Sequence, residues 1–175
     1  LYPCRFNIWF NNNYKLNFYS CLNFIHQFVD QDIKFDFSLL NHILKNYNVM
    51  HNTLRLVLGV DFRNDIIDSR IKLWFILNDT NNDLLRNLTE CGNINSSIMN
   101  VNFSSNLLFG FDFCFSGQSR LKIYPLLLRK NLQNQNIFNQ IKNLFSPLTI
   151  NLMLLCDRFH IGLAQESDTF ILHFH

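Results

Sequence analysis

The sequence is short of alanine, of net charge and of long apolar runs. Ala164 is the only alanine among 175 residues, against nineteen phenylalanines and an abundance of Asn and Ile. An AT-rich coding sequence produces that bias, so it carries little functional meaning. Lys and Arg exceed Asp and Glu by only +2. Such a balance excludes a broad nucleic-acid or membrane surface and makes any basic site local. The longest apolar stretches, such as Leu73–Leu77 and Pro125–Leu128, are strand-sized and far below a membrane span. There is no signal-peptide pattern, and the first residue is Leu1 rather than Met. The five cysteines are odd in number and lack metal-ligand spacing, which fits reduced thiols in a cytoplasmic protein. No Ser/His/Asp, Cys/His or zinc constellation stands out, and no metal ligands are assigned. With 48% hydrophobic and 16% charged residues the chain is globular.

What the chain does have is an internal repeat. Leu58-Gly59-Val60-Asp61-Phe62 returns about fifty residues later as Phe109-Gly110-Phe111-Asp112-Phe113. Ser69-Arg70-Ile71-Lys72-Leu73-Trp74 returns, in register, as Ser119-Arg120-Leu121-Lys122-Ile123-Tyr124. Gly162 continues the spacing. Cys4–Phe10 opens the chain as a weaker second-strand copy, and Asp168–Phe174 closes it.

Each motif alternates with period two and reads as a strand with distinct faces. Ile71, Leu73 and Phe75 oppose Arg70, Lys72 and Trp74; Leu121 and Ile123 oppose Arg120, Lys122 and Tyr124. The strands are predicted at Cys4–Phe10, Thr53–Phe62, Ser69–Leu77, Leu107–Phe115, Ser119–Leu126, Arg158–Ala164 and Thr169–Phe174. A three-residue turn with left-handed Gly117 is predicted at Phe115-Ser116-Gly117. Helical spacing appears at Phe18, Cys21, Leu22, Ile25, Phe28 and Val29, and again at Ile137, Phe138, Ile141, Leu144 and Phe145. Leu39, Leu40, Ile43, Leu44 and Tyr47 mark another helix; Leu84, Leu85 and Leu88 mark a shorter one. The pattern predicts an α+β fold: an antiparallel barrel of strand–strand–helix repeats, with helices outside on the face of Val60, Ile71, Phe111 and Ile123. No linker divides it, so residues 1–175 read as one domain.

Gly59-Val60-Asp61-Phe62-Arg63, Ser69-Arg70-Ile71-Lys72 and Gly110-Phe111-Asp112-Phe113 with Gly117-Gln118-Ser119 resemble the signature segments of the cyanobactin peptide prenyltransferases, in order and spacing. The resemblance covers nearly the whole chain but only the middle of that family's length. It implies a prenyltransferase barrel with parts missing at both ends. It also implies transfer of a C5 isoprenyl group from dimethylallyl diphosphate to a side chain of a ribosomal macrocyclic peptide, with Mg²⁺ as cofactor. Arg5 and Lys72 match diphosphate-binding positions. Arg120 and Lys122 depart from the family pattern, which has acids there, and the family's acidic base falls before Leu1.

An ionising prenyl diphosphate needs cations at its leaving group and aromatic faces around the allylic cation. The repeat offers Arg5, Lys72 and Lys122 as diphosphate ligands, and Arg70, Arg120, His173 and His175 as further basic residues of the lumen. Trp9, Trp74 and Tyr124 are candidates to shield the prenyl cation, or ordinary barrel filling. The inward charges also have a purely structural reading, as cross-strand pairs: the expected turn sets Asp112 against Arg120 and Gly110 against Lys122. By analogy Asp61 meets Arg70 and Gly59 meets Lys72. Two further functions compete. One is a catalytically inactive or truncated barrel that binds a diphosphate or apolar ligand without turnover. The other, stacking of single-stranded RNA on Trp74 and Tyr124, fits poorly with the near-neutral charge. Seven strands fall short of the roughly ten that such a barrel needs, so these residues alone are expected to be inactive.

Overall fold

A computed structural model describes residues 3–29, 33–78, 82–94, 101, 103, 106–167 and 169–175. The elements run β1 (Cys4–Phe10), α1 (Tyr14–Val29), α2 (Ser38–Asn46), α3 (Val49–Asn52), β2 (Thr53–Phe62), β3 (Arg70–Leu77) and α4 (Asn82–Cys91). They continue β4 (Leu107–Cys114), β5 (Ser119–Leu128), α5 (Gln135–Leu144), α6 (Pro147–Leu155), β6 (Arg158–Ala164) and β7 (Ile171–Phe174). The strands hydrogen-bond in chain order. The β1–β2, β2–β3 and β6–β7 pairs are antiparallel. The mixed α+β, antiparallel expectation therefore holds. Four strand ends differ: β3 begins at Arg70 rather than Ser69, β4 ends at Cys114 rather than Phe115, β5 continues to Leu128, and β7 begins at Ile171 rather than Thr169. Asp168, which opens the last copy, lies outside the described residues. No helix among the described residues is long and apolar enough to cross a membrane.

Contacts divide the chain into two compact units, Leu1–Asn78 with Phe109–Lys122, and Asp79–Leu108 with Ile123–His175. In the first unit one sheet face is apolar because every second residue of β2, β3 and β4 is. Val60, Ile71, Leu73, Phe75, Phe109, Phe111 and Phe113 are all buried. Helix α1 covers that face with its own apolar stripe of Phe18, Cys21 and Ile25. The Phe18 ring meets Phe75 at 6.0 Å, and Phe28 meets Phe62 at 6.1 Å and Phe115 at 5.5 Å. Each such side chain removed from water contributes about 1.5–3 kcal/mol. The β4–β5 turn forms as expected: Gly117 is left-handed at φ 93°, and its N–H donates to the Cys114 carbonyl over 3.0 Å.

In the second unit α5 starts at Asn134, whose side chain accepts from the Asn136 and Ile137 amides. Helix α6 was not expected from the sequence. Its residues Pro-Leu-Thr-Ile-Asn-Leu-Met-Leu-Leu are apolar nearly all round, so no 3.6-residue periodicity shows. The start signal was present nonetheless, with Ser146 capping the Thr149 amide at 3.2 Å and Pro147 in the first turn.

The glycines of the repeat have a packing role in each unit. A Cβ on Gly110 would stand 2.6 Å from the Leu73 carbonyl and from the Trp74 ring. A Cβ on Gly162 would stand 2.6 Å from the Tyr124 ring. Each glycine thus receives the aromatic that ends the second repeated motif of the preceding copy. Gly110→Ala is expected to destabilise the protein by about 1–3 kcal/mol, since a backbone carbonyl and a ring must both move. Urea denaturation measures this; an unchanged midpoint would mean that the ring is not held against the backbone.

Candidate functional site

The polar face of the first unit is built by register. Arg5, Asp61 and Arg70 stand in one row across β1, β2 and β3; Asn7, Gly59 and Lys72 form the next; Trp9, Val57 and Trp74 the third. The expected pairing of Asp61 with Arg70 and of Gly59 with Lys72 is what the register gives. Gly59 leaves room for Asn7 and Lys72 to lie over the backbone, as a Cβ there would meet Asn7 Oδ1 at 2.6 Å and Lys72 Cβ at 3.2 Å. Lys72 uses that room to reach sideways, and its ammonium donates to Asp61 Oδ2 at 3.2 Å.

Two buried carboxylates organise the face. Asp61 accepts from Arg63 Nη2 at 2.9 Å, Arg70 Nε at 3.0 Å and Lys72 Nζ. Asp112 accepts from Lys122 Nζ at 2.6 Å and Arg70 Nη1 at 3.2 Å. Arg70 therefore bridges both acids. Burial pushes the Asp61 carboxyl up, but hydrogen bonds from Arg63, Lys72 and Arg70 outweigh it and hold the group well below the usual carboxylate range. Burial draws the Lys72 ammonium down despite its bond to Asp61. Burial also acts to lower Arg70, and its two carboxylates overcome that and raise it.

The cross-strand expectation for the second copy is corrected. The turn register sets Lys122 opposite Gly110 as expected, but its ammonium does not stay there; it neutralises Asp112. Arg120 is exposed and makes no ion pair among the described residues. The cause is reach: the Lys122 chain runs diagonally to Asp112, as Lys72 does to Asp61, while Arg120 extends into solvent. Arg63 went unassigned in the sequence, although its place two residues after Asp61 puts it on the same face.

The first unit thus gathers Arg5, Arg70, Lys72, Lys122 and Arg120 with Trp9 and Trp74. Arg5 and Trp9 are exposed on β1, and Trp74 is half-buried. Tyr124, His173 and His175 lie in the second unit. There the Tyr124 ring meets His173 at 5.3 Å, and His160 joins them from β6. Among the described residues no three His, Cys, Asp or Glu side chains form a metal-holding group.

Two measurements check this charge arrangement. Lys122→Met is expected to cost about 1–3 kcal/mol, because it removes the shortest bond to a buried acid. Arg120→Met is expected to stay within about 0.5 kcal/mol of the parent. Thermal or urea unfolding of both variants decides it, and equal losses would contradict the geometry. Asp61 supplies the pH dependence. Its depressed pKa contributes stability at pH values above its unfolded value of about 3.9, and that contribution drains away as pH falls toward the folded pKa. Urea midpoints at about pH 7, 5 and 3 should drop on acidification in the parent and drop less in Asp61→Asn. Identical slopes would show that Asp61 is not held ionised.

The sequence matches the family of unknown function DUF5838 over residues 1–175. No curated protein matches it. By that full-length match, the chain belongs to the DUF5838 family.

Proposed function

We propose that this chain binds an allylic diphosphate and serves prenyl transfer: dimethylallyl diphosphate is the donor, and a side chain of a ribosomal macrocyclic peptide of the cyanobactin kind is the acceptor. The observation that carries the reading is a surplus of cations. Arg63, Arg70, Lys72 and Lys122 serve only two carboxylates, and Arg5 and Arg120 stand on the same sheet beside them. A surplus held in place by buried acids is pre-organised for a polyanion and needs no rearrangement to meet one. Trp74 lies on the same face two residues beyond Lys72, with Trp9 in its row across β2.

In this reading the carbon–oxygen bond at C1 of the prenyl group breaks, and its electron pair leaves on the diphosphate. The indole faces of Trp74 and Trp9 stabilise the allylic cation. The acceptor side chain then bonds to C1 and gives up a proton to a base that is not assigned. Lys122 and Arg70 keep part of their side chains in solvent, 16% and 24%, whereas Lys72 keeps 6%. Lys122, Arg70, Arg5 and Arg120 are therefore the contacts to phosphate, and Lys72 supports them from beneath through Asp61.

The resemblance also implies Mg²⁺. The two carboxylates of this face do not fit a protein-held magnesium site: Asp61 is saturated by cations, and the free oxygen of Asp112 is buried. No step is assigned to the ion.

One observation favours a second reading, a diphosphate-binding domain without turnover. Both candidate lysines are already neutralised by carboxylates, as in a structural ion-pair lattice. The experiment is a titration with dimethylallyl diphosphate, with and without Mg²⁺, followed by mass spectrometry of a macrocyclic peptide bearing an accessible Tyr or Trp. Diphosphate binding is expected, weakened roughly tenfold by Arg120→Met, since a charge-assisted contact is lost. A peptide mass gain of one isoprenyl group supports transfer, and binding without it supports the second reading. No binding, or equal binding by Arg120→Met and Lys122→Met and the parent, would overturn both.

A further inference from the structure

The second unit holds a histidine group that the phosphate reading does not use. His160 on β6 stands directly opposite His173 on β7, and His175 continues the same face two residues on. The His175 amide donates to the Arg158 carbonyl at 3.0 Å, so the ladder extends to this last position and fixes its backbone. His160 Nδ1 and His175 Nε2 approach to 3.2 Å, with their rings nearly perpendicular at 86°. His173 turns instead toward Tyr124, whose ring sits over Gly162.

We infer that the β6–β7 hairpin carries a two-histidine site for a divalent first-row transition ion, with His160 Nδ1 and His175 Nε2 as its protein ligands and water completing the shell. Two imidazole nitrogens bound at about 2.0–2.1 Å to one tetrahedral ion stand about 3.3–3.4 Å apart, close to the spacing observed. Strand pairing sets that spacing before any ion arrives. Neutral imidazole is the ligand form, and ions of the zinc, nickel and copper group accept it. With the ring hydrogens on His160 Nε2 and His175 Nδ1, both lone pairs face the gap. The ion then takes the place of the hydrogen that the pair otherwise shares, and no net proton is released. His160 is half-buried, while His173 and His175 are exposed, which leaves the gap open to solvent.

The test uses the full chain, untagged and freed of metal by a chelator, titrated with Zn²⁺ by calorimetry. One zinc per chain is expected. His175→Ala and His160→Ala should each weaken it by at least the roughly tenfold that losing even an outer partner of a ligand costs. His51→Ala, an exposed histidine of the other unit, should match the parent. Zinc should also raise the thermal midpoint of the parent and of His51→Ala, but not of His175→Ala. Should His160→Ala fail to fold, His175→Ala and His175→Gln decide the matter, because that side chain is exposed. Zinc affinity unchanged in His175→Ala, or no zinc bound by the parent, would overturn the proposal and leave a histidine–histidine hydrogen bond. Thiolate charge-transfer absorption on loading with Co²⁺ would overturn it as well, by placing the metal on the cysteines.

Discussion

A carboxylate taken out of water costs several kcal/mol unless cations and hydrogen bonds surround it, and the first unit contains two. Asp61 and Asp112 are each almost fully buried. Their demand fixes where the basic residues must go. Asp61 on β2 draws Arg70 and Lys72 from β3, and Asp112 on β4 draws Arg70 from β3 and Lys122 from β5. Arg70 serves both acids, so one guanidinium ties three strands together. A register slip of one residue would turn each acid into the phenylalanine layer, where no cation waits. The acids thus specify the pairing as firmly as the apolar face does.

The repeat glycines are the second constraint, and they act by absence. Sheet rows bring Trp74 over Gly110 and Tyr124 over Gly162, leaving no space for a side chain. Gly59 differs, because Asn7 and Lys72 take the space and Lys72 is thereby freed to lean toward Asp61. One backbone position therefore does two jobs, seating an aromatic ring in two copies and routing a lysine in the third. Large aromatics lie flat on a sheet only where the neighbouring strand gives up its side chain.

Much of this was legible in the residues because period-two alternation survives in single strands. The seven strands, the turn at Gly117 and the row pairing Asp61 with Arg70 follow from local pattern and hairpin geometry. Diagonal contacts were not legible. Register places Lys72 beside Gly59, yet its four-carbon chain bends away to Asp61, a direction that strand pairing does not dictate. The same freedom reversed the expected roles of Arg120 and Lys122. Helix α6 escaped for a different reason: an apolar segment without a polar face has no periodicity, and only its Ser-Pro start betrays it. The histidine pair was invisible because it joins β6 to the end of β7 across a hairpin whose register the sequence leaves open.

The two copies of the acid motif are alike in sequence and unlike in saturation. Arg63 follows Asp61 by two residues and closes its second oxygen, Oδ1, at 2.9 Å. The corresponding place after Asp112 is Cys114, which offers no such bond, and Asp112 Oδ1 is buried without a hydrogen-bond partner among the described residues. Burial and the neighbouring Asp112 both raise the Cys114 thiol, so it stays protonated and supplies no charge of its own. The first copy is therefore a closed ionic knot: three cations enclose one carboxylate, and Lys72 is sealed beneath. The second copy has fewer donors, a more accessible lysine and an exposed arginine beside it. The second copy is where cations reach solvent, while the first copy holds the strands in register beneath it. The substitution of one arginine by cysteine between copies divides a duplicated motif into a scaffold half and a half that can turn outward.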